Sequence, residues 1–435
     1  MFAQQTRDRF RKSQNDFTRK RVLNFAKVVV IMLSGHKFSL QNALNKFFSR
    51  LGAVFSTPTA SAYCQAKQKV KAEVFIHLNE VLVDDFYQLY DNDEQVLRWH
   101  GHRLVGADGT TLNVPDNEQT REVYSLHHNN KPAAHGARLQ ALGMVLYDLL
   151  NDIGIKGALT KAHSGENELM FQQLWNATQQ EDVLVLDRGK ASYYLLAKAV
   201  KDQRHLVLRM PQGKFNVVDE FVRSGKLEAW VNLKVTPRTM SFENVKADKL
   251  AEEVEVRLMK FELESGEQEV LLTTLLDSES YRREEFYQVY GSRWGDETYY
   301  DRIKNVFELE RFSGQSEEAI KQDFYGVLFL ASLESVLSKE VEREMKEVVK
   351  KASTEEEVVG SEAQVNHAVS YVALVERVGS LLADEKKSLE EVLKELEYLF
   401  RQNPTRKRVG RKYPREVISH ARKLQYYRYK KRIIA

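Results

Sequence analysis

The chain has 435 residues, 43% of them apolar and 10% aromatic, enough to bury two or three cores, so a globular soluble protein is expected. A formal net charge of +3 hides an uneven distribution: residues 1–71 hold fourteen Lys and Arg against two Asp, and residues 401–435 hold thirteen against one Glu, which points to nucleic acid at both ends. One cysteine, Cys64, excludes an internal disulfide and a Cys-rich zinc cluster, and the lack of any run of 18 apolar residues excludes a membrane span. Cys64 itself is read as a small apolar side chain, buried or half-buried. The Arg-rich start carries no apolar stretch leading to a small-residue cleavage site, so no export signal is read and the cytoplasm is the expected compartment.

Residues 1–98 are expected to be a helical DNA-binding module. Asp16 or Thr18 caps a helix through Arg21 to Leu33, and Gly35 stops it. Ser39 caps a second helix, with Leu40, Ala43, Leu44, Phe47 and Phe48 at helical spacing. Thr57-Pro58-Thr59 opens a third, whose early face carries Tyr63, Gln65, Lys67, Lys69 and Lys71 and suits a DNA-recognition helix, a plain bundle with a basic surface being the alternative. Apolar Ile76, Leu78, Val81, Leu82, Phe86 and Leu89 continue the helical pattern towards Leu97.

Over residues 99–210 the period changes. Arg103–Ala107 and Thr111–Val114 read as two strands joined by a turn at Asp108-Gly109. Gly136–Tyr147 and Ile153–Thr160 read as further strands, and Glu166–Thr178 as an amphipathic helix. The apolar run Val183–Leu186 is a buried strand ending at Asp187, followed by a helix over Ser192–Lys201 and a strand over His205–Met210. Antiparallel strands, then helix, strand, helix, strand, is the element order of an α/β fold with an RNase H-like core, a mixed five-stranded sheet with helices.

Residues 211–278 alternate apolar and polar side chains, as in Val254–Leu263 and Glu269–Leu276, and read as a β-rich insertion. The core resumes over 279–312. Residues 313–435 form a helical C-terminal region, in which Ser313 to Ser316 cap a helix, Lys339–Glu362 is an exposed helix or linker, and the tail interleaves Lys and Arg with Tyr413, Tyr426, Tyr427 and Tyr429.

Tyr290, Arg293, Glu297 and Lys304 stand at offsets of 0, 3, 7 and 14, and on one helix at about 100° per residue they share a narrow stripe. A hydroxyl, two cations and a carboxylate on one face suit a phosphate polymer and a hard metal ion, although Arg293 and Glu297 are also an ordinary i,i+4 pair. The pattern Tyr-x2-Arg-x3-Glu-x6-Lys resembles the signature of bacterial insertion-sequence transposases of the IS-four family. Two further stretches are similar to that family's other motifs: Val105-Gly-Ala-Asp108-Gly-Thr-Thr111 and Val183-Leu-Val-Leu-Asp187-Arg-Gly189, with a β-rich insertion before the third carboxylate.

The resemblance implies a DDE transposase with an RNase H-like catalytic domain. Asp108, Asp187 and Glu297 would hold two Mg2+ ions, for which Mn2+ can substitute, because hard carboxylate oxygens suit such ions and paired metals stabilise both oxygens of an in-line displacement at phosphorus. Arg293 and Lys304 would hold phosphates beside the cut, Tyr290 would stand next to them, and Trp294 would stack on a displaced base or lie in the core. The implied reaction is cut-and-paste transposition. Water frees a 3′-hydroxyl, which closes a hairpin on the opposite strand; a second water opens it, and the 3′-ends attack target DNA. The implied partners are double-stranded DNA, as terminal inverted repeats and target, and a second copy of the chain. Lys190 departs from the family pattern, which often has an aromatic there, and reads as a phosphate contact or a surface residue.

Rival readings are weaker. A phosphoaspartyl phosphatase loop would need an Asp where Gly106 stands. His127, His128 and His135 lack the fixed spacing and fourth ligand of a zinc site. A catalytically silent, transposase-derived DNA-binding protein is the non-enzyme alternative.

Overall fold

The computed structural model describes residues 4–35, 39–90, 96–127, 138–162, 164–240, 247–262, 266–352, 363–383 and 388–406. Two compact units emerge: Asn79–Arg302, and Met1–Leu78 together with Ile303–Ala435.

The first of these is built on a mixed nine-stranded sheet. Its strands are β1 (Leu104–Asn113), β2 (Ser125–His127), β3 (Arg138–Asp148), β4 (Ile153–Lys161), β5 (Val183–Leu186), β6 (His205–Arg209), β7 (Glu228–Lys234), β8 (Glu253–Glu262) and β9 (Gln268–Thr273). The order is β2-β3-β1-β5-β6-β9-β8-β7, with β4 also paired to β3. β3 runs antiparallel to β1 and β4, whereas β5 and β6 continue parallel to β1. All four residues of β5 are buried, which is why its sequence is a continuous apolar run and not an alternating one. The helix Tyr193–Lys201, capped where Ser192 Oγ accepts from the Leu195 amide at 3.2 Å, carries the chain from β5 back to the start of β6.

Three expectations are corrected. Asp108-Gly109 is not a turn: β1 passes straight through it, with Asp108 opposite Val145 and Gly109 opposite Met144 on β3. The Glu166 side chain approaches closely there, so that a Cβ on Gly109 would stand 2.6 Å from Glu166 Oε1 and that side chain would have to shift. Glu166–Thr178 is not one α-helix but a short α-turn, a π-helical Met170–Leu174 and a 3-10 turn, Trp175–Ala177. Nor does the sheet stop at five strands: the insertion strands join it, β9 pairing antiparallel with β6, so β9, β8 and β7 cover what would otherwise be an open edge.

At the starts of β1 and β5, Arg103 Nε and Nη2 donate to Asp182 Oδ1 and Oδ2 at 2.9 and 2.7 Å, both side chains being about 3% exposed. A bidentate pair this deep locks the two strands in register, because breaking it would strand a buried charge.

The second unit is helical. Phe25–Leu33 buries Phe25, Val28, Val29, Val30, Ile31 and Leu33, and its cap is Asn24, whose Oδ1 accepts from the Lys27 amide at 2.9 Å, instead of Asp16 or Thr18. The chain between those residues and Asn24 is not helical. Leu40–Arg50 and Ala60–Lys67 are capped by Ser39 and Thr59 as expected. The 36-residue helix Glu317–Ala352 starts after Ser316 and reaches well into the stretch read as an exposed helix or linker, favouring the helix up to Ala352. Two of its side chains reach the N-terminal segment: Glu318 Oε1 accepts from the Ala72 amide at 2.6 Å, and Gln322 Nε2 donates to the Val70 carbonyl at 2.7 Å. Among the described residues no helix is long and apolar enough to cross a membrane.

Candidate active site

The parallel register of β1 and β5 ends with Gly106 opposite Val185, and two residues further along each chain stand Asp108 and Asp187. Neighbouring strands lie about 4.8 Å apart, so this register brings the two aspartates to the same end of the parallel strands. Asp108 is half-buried and its Oδ1 accepts from the Gly109 amide at 2.9 Å. Burial pushes its pKa above the usual carboxylate range, while the Gly109 amide and the Lys190 ammonium act in the opposite direction.

Tyr290 donates its hydroxyl to Asp187 Oδ1 at 3.3 Å. Burial pushes that hydroxyl up to about 12, so it remains a donor at neutral pH. Arg293 Nη2 donates to Glu297 Oε1 at 3.3 Å. Burial opposes the Arg293 charge, but Tyr290, Asp187 and Glu297 around it leave its proton held more tightly than usual. Arg293 also acts on the Asp108 carboxyl, which makes it the common neighbour of all three acids.

The helix carrying Glu297 is tied to β1 at Asp108 itself. Tyr300, one turn beyond Glu297, donates its hydroxyl to the Asp108 carbonyl at 2.6 Å and accepts from the Val145 amide at 2.9 Å. Among the described residues, the one set of three metal-ligating side chains with donor atoms all within 4.8 Å is elsewhere, at His102, Glu181 and His205. Asp108, Asp187 and Glu297 therefore share a neighbourhood at wider spacing than that.

The four-residue stripe does not lie on one helix. Arg283–Gly291 ends where Ser292 Oγ turns back to the Val289 carbonyl at 2.6 Å; a new helix, Trp294–Asp301, follows, and then the π-helical Arg302–Val306. The 100° arithmetic fails at each change of winding. Lys304 lies in that π-helical segment and belongs to the helical unit, where burial lowers its pKa. Trp294 is 54% exposed and so is not a core residue.

Two further acids and their cations were not expected at this end of the sheet. Lys190 is buried at 3% exposure, not a surface residue, and pairs with Glu166, whose charge Asp108 feels. Glu269 on β9 is buried beside Arg209, with Nε at 3.1 Å from Oε1, and burial raises its pKa within reach of Arg293 and Asp187. A signal existed for Lys190, which follows the Asp187-Arg-Gly motif directly. Glu269 gave none, because it reaches the site only through the pairing of β9 with β6.

Of the expected DNA-facing residues near the N-terminus, Lys67 pairs with Asp323 and bonds Ser313, and Lys69 pairs with Asp16 at 3.4 Å. Cys64 is exposed, contrary to expectation, since the short helix Ala60–Lys67 turns Tyr63 inward instead. His127 ends β2, whereas His128, His135 and the basic tail from residue 407 lie outside the described residues.

Comparison with known proteins adds a family. The family model described as "Transposase DDE domain" matches residues 99–333. Among curated proteins the chain is similar to "Transposase InsG for insertion sequence element IS4" of Escherichia coli (strain K12), at 26% identity over 276 residues. That match spans 63% of this chain and 60% of the relative's length. Among solved structures it is similar to piggyBac transposase in a synaptic complex with hairpin DNA, at 11% identity and a TM-score of 0.40, over 85% of this chain and 75% of that one; a likeness this slight carries no argument.

Proposed function

Because the chain belongs to the family of the transposase DDE domain, we propose that it moves an insertion sequence by metal-dependent cleavage and joining of DNA, with Asp108, Asp187 and Glu297 as its acidic triad. The observation that carries this reading is the strand register that sets Asp108 beside Asp187, together with the Tyr300 tie that brings the Glu297 helix to the same point. The order β4-β3-β1-β5-β6, antiparallel and then parallel, supports an RNase H-like core with β7 to β9 as its extension.

The three acids offer only hard oxygen donors, which fit Mg2+ or Mn2+ and not a softer ion. When bound, such ions stabilise charge on the attacking and leaving oxygens. Asp187 is oriented by the Tyr290 hydroxyl, and Glu297 accepts one hydrogen bond from Arg293 Nη2. With its remaining N–H groups Arg293 would take a phosphate oxygen beside the cut. Exposed Trp294 suits a displaced base, which a hairpin intermediate would present, and Lys304 is assigned to a neighbouring phosphate. Terminal inverted repeats and target DNA are the substrates, and two copies of the chain would pair two ends.

Glu297→Gln tests the triad. It should lower cleavage of end-containing DNA to below about one hundredth of wild type, since even residues that only support a metal ligand are worth about 10–100-fold. Binding of the same DNA in a gel shift should persist. Unchanged cleavage would overturn the assignment, and a wild-type protein that binds ends but never cuts them would favour the silent DNA-binding alternative.

A further inference from the structure

At the opposite end of the parallel strands, the residue before Arg103, the loop before β5 and the first residue of β6 bring together His102, Glu181 and His205. Their donor atoms all lie within 4.8 Å of one another. His102 is 8% exposed, and its Nδ1 stands 2.7 Å from the Glu181 backbone carbonyl, which can only accept. The proton therefore sits on Nδ1 and the Nε2 lone pair points away, towards the Tyr281 hydroxyl at 2.8 Å. A backbone carbonyl that fixes the tautomer in this way is what metal-binding histidines use. His205 Nε2 stands 3.0 Å from Glu181 Oε2, close to the edge of a tetrahedron whose bonds are about 2.0–2.1 Å.

The frame around these three is stiff. Glu181 has φ +65°, a conformation rare for a side-chain-bearing residue, and its backbone N–H donates to the Gln203 carbonyl at 2.8 Å. The His205 amide donates to the Asp182 carbonyl at 2.8 Å, and Asp182 is locked to Arg103 on β1. The three residues are thus anchored through their backbones, while the Glu181 side chain, 64% exposed, keeps the freedom to turn onto an ion.

We propose that His102, Glu181 and His205 form a second metal site that takes a borderline ion of the zinc or cobalt class, with Tyr281 or water as the fourth ligand. Two imidazoles and one carboxylate select such an ion over magnesium, which prefers an all-oxygen shell. From His102 to Asp108 the strand rises about 20 Å, so this ion is too far away to serve the acidic triad. Its role is to clamp the starts of β1, β5 and β6, and so to hold the register that places Asp108 beside Asp187 at their other ends.

The test is Co2+ titration of the full chain carrying Asp187→Asn and Glu297→Gln, which removes the acidic triad as a competing site. Four-coordinate Co2+ with imidazole ligands absorbs strongly in the visible, whereas an all-oxygen six-coordinate site absorbs weakly. One equivalent should give the strong band, Zn2+ should displace it, and adding His205→Gln should abolish it with the far-UV circular dichroism unchanged. If His205→Gln does not fold, Glu181→Gln takes its place and should weaken Co2+ binding at least about 10-fold. Absence of the band in the starting protein, or its persistence in the substituted one, would overturn the proposal. Both outcomes are read in protein without a working acidic triad, so the transposase reading is tested separately by Glu297→Gln.

Discussion

Asp108 is a charge placed where burial resists it. Its folded pKa lies above the value of about 3.9 for an unfolded aspartate, so the folded chain keeps the proton longer, and stability falls as pH rises through the window between the two. In metal-free protein at pH 7, Asp108→Asn should therefore melt higher than wild type, with the gap closing below about pH 3.9, while cleavage drops below about one hundredth. Thermal melts in chelator across that pH range, set beside a cleavage assay, check both halves. Gly109→Ala acts next to it: the added Cβ would press on the Glu166 carboxyl and push it off Lys190. A loss of about 1–3 kcal/mol in denaturant titration is expected, as for other overpacked sites. Asp108 and Asp187 can be proposed from the sequence because each closes or extends an apolar run, and Glu297 because a four-residue pattern surrounds it. Glu166 and Glu269 were not, since an acid on an amphipathic helix or an alternating strand looks solvated until tertiary pairing shows what covers it.

Helix Trp294–Asp301 is tied to β1 through the Tyr300 hydroxyl. Tyr300→Phe leaves the Val145 amide and the Asp108 carbonyl without that partner, which should cost about 1–3 kcal/mol. Activity should fall by more than that stability loss explains, because Glu297 rides on the same helix; urea titration and turnover on one preparation separate the two. Element type was well predicted where a period persisted over a whole segment, as in β5, β6 and the helix after Ser192. It failed where local chemistry imitated something else. Asp108-Gly109 is a turn dipeptide by composition, but uninterrupted pairing with β3 keeps it extended. The stripe from Tyr290 to Lys304 assumed a single winding that Ser292 and the π-helical segment break.

At the scale of the whole molecule, charge is concentrated at the ends, with thirteen Lys and Arg in residues 401–435. Each phosphate contact adds about −0.9 to the slope of log affinity against log salt. Removing residues 407–435 should therefore flatten that slope without changing which DNA end is preferred, as read by filter binding at several salt concentrations. An unchanged slope would assign the tail no phosphates. Lys67 and Lys69, by contrast, are already spoken for by acids of their own unit, so their alanine variants should leave the slope nearly unaltered. The helical unit joins Met1–Leu78 to Ile303–Ala435, and this has a consequence during synthesis. A ribosome adding about 5–20 residues per second needs roughly 10–45 s to travel from the end of the first segment to the start of the second. For that interval Val28, Val29 and Ile31 have only part of their eventual packing partners, although the strands between can already pair. A reading frame interrupted before residue 303 thus yields no competent half but a sticky fragment for the cell to clear, because the helices Glu317–Ala352 and His367–Ala383 that pack on Phe25–Leu33 have not been made.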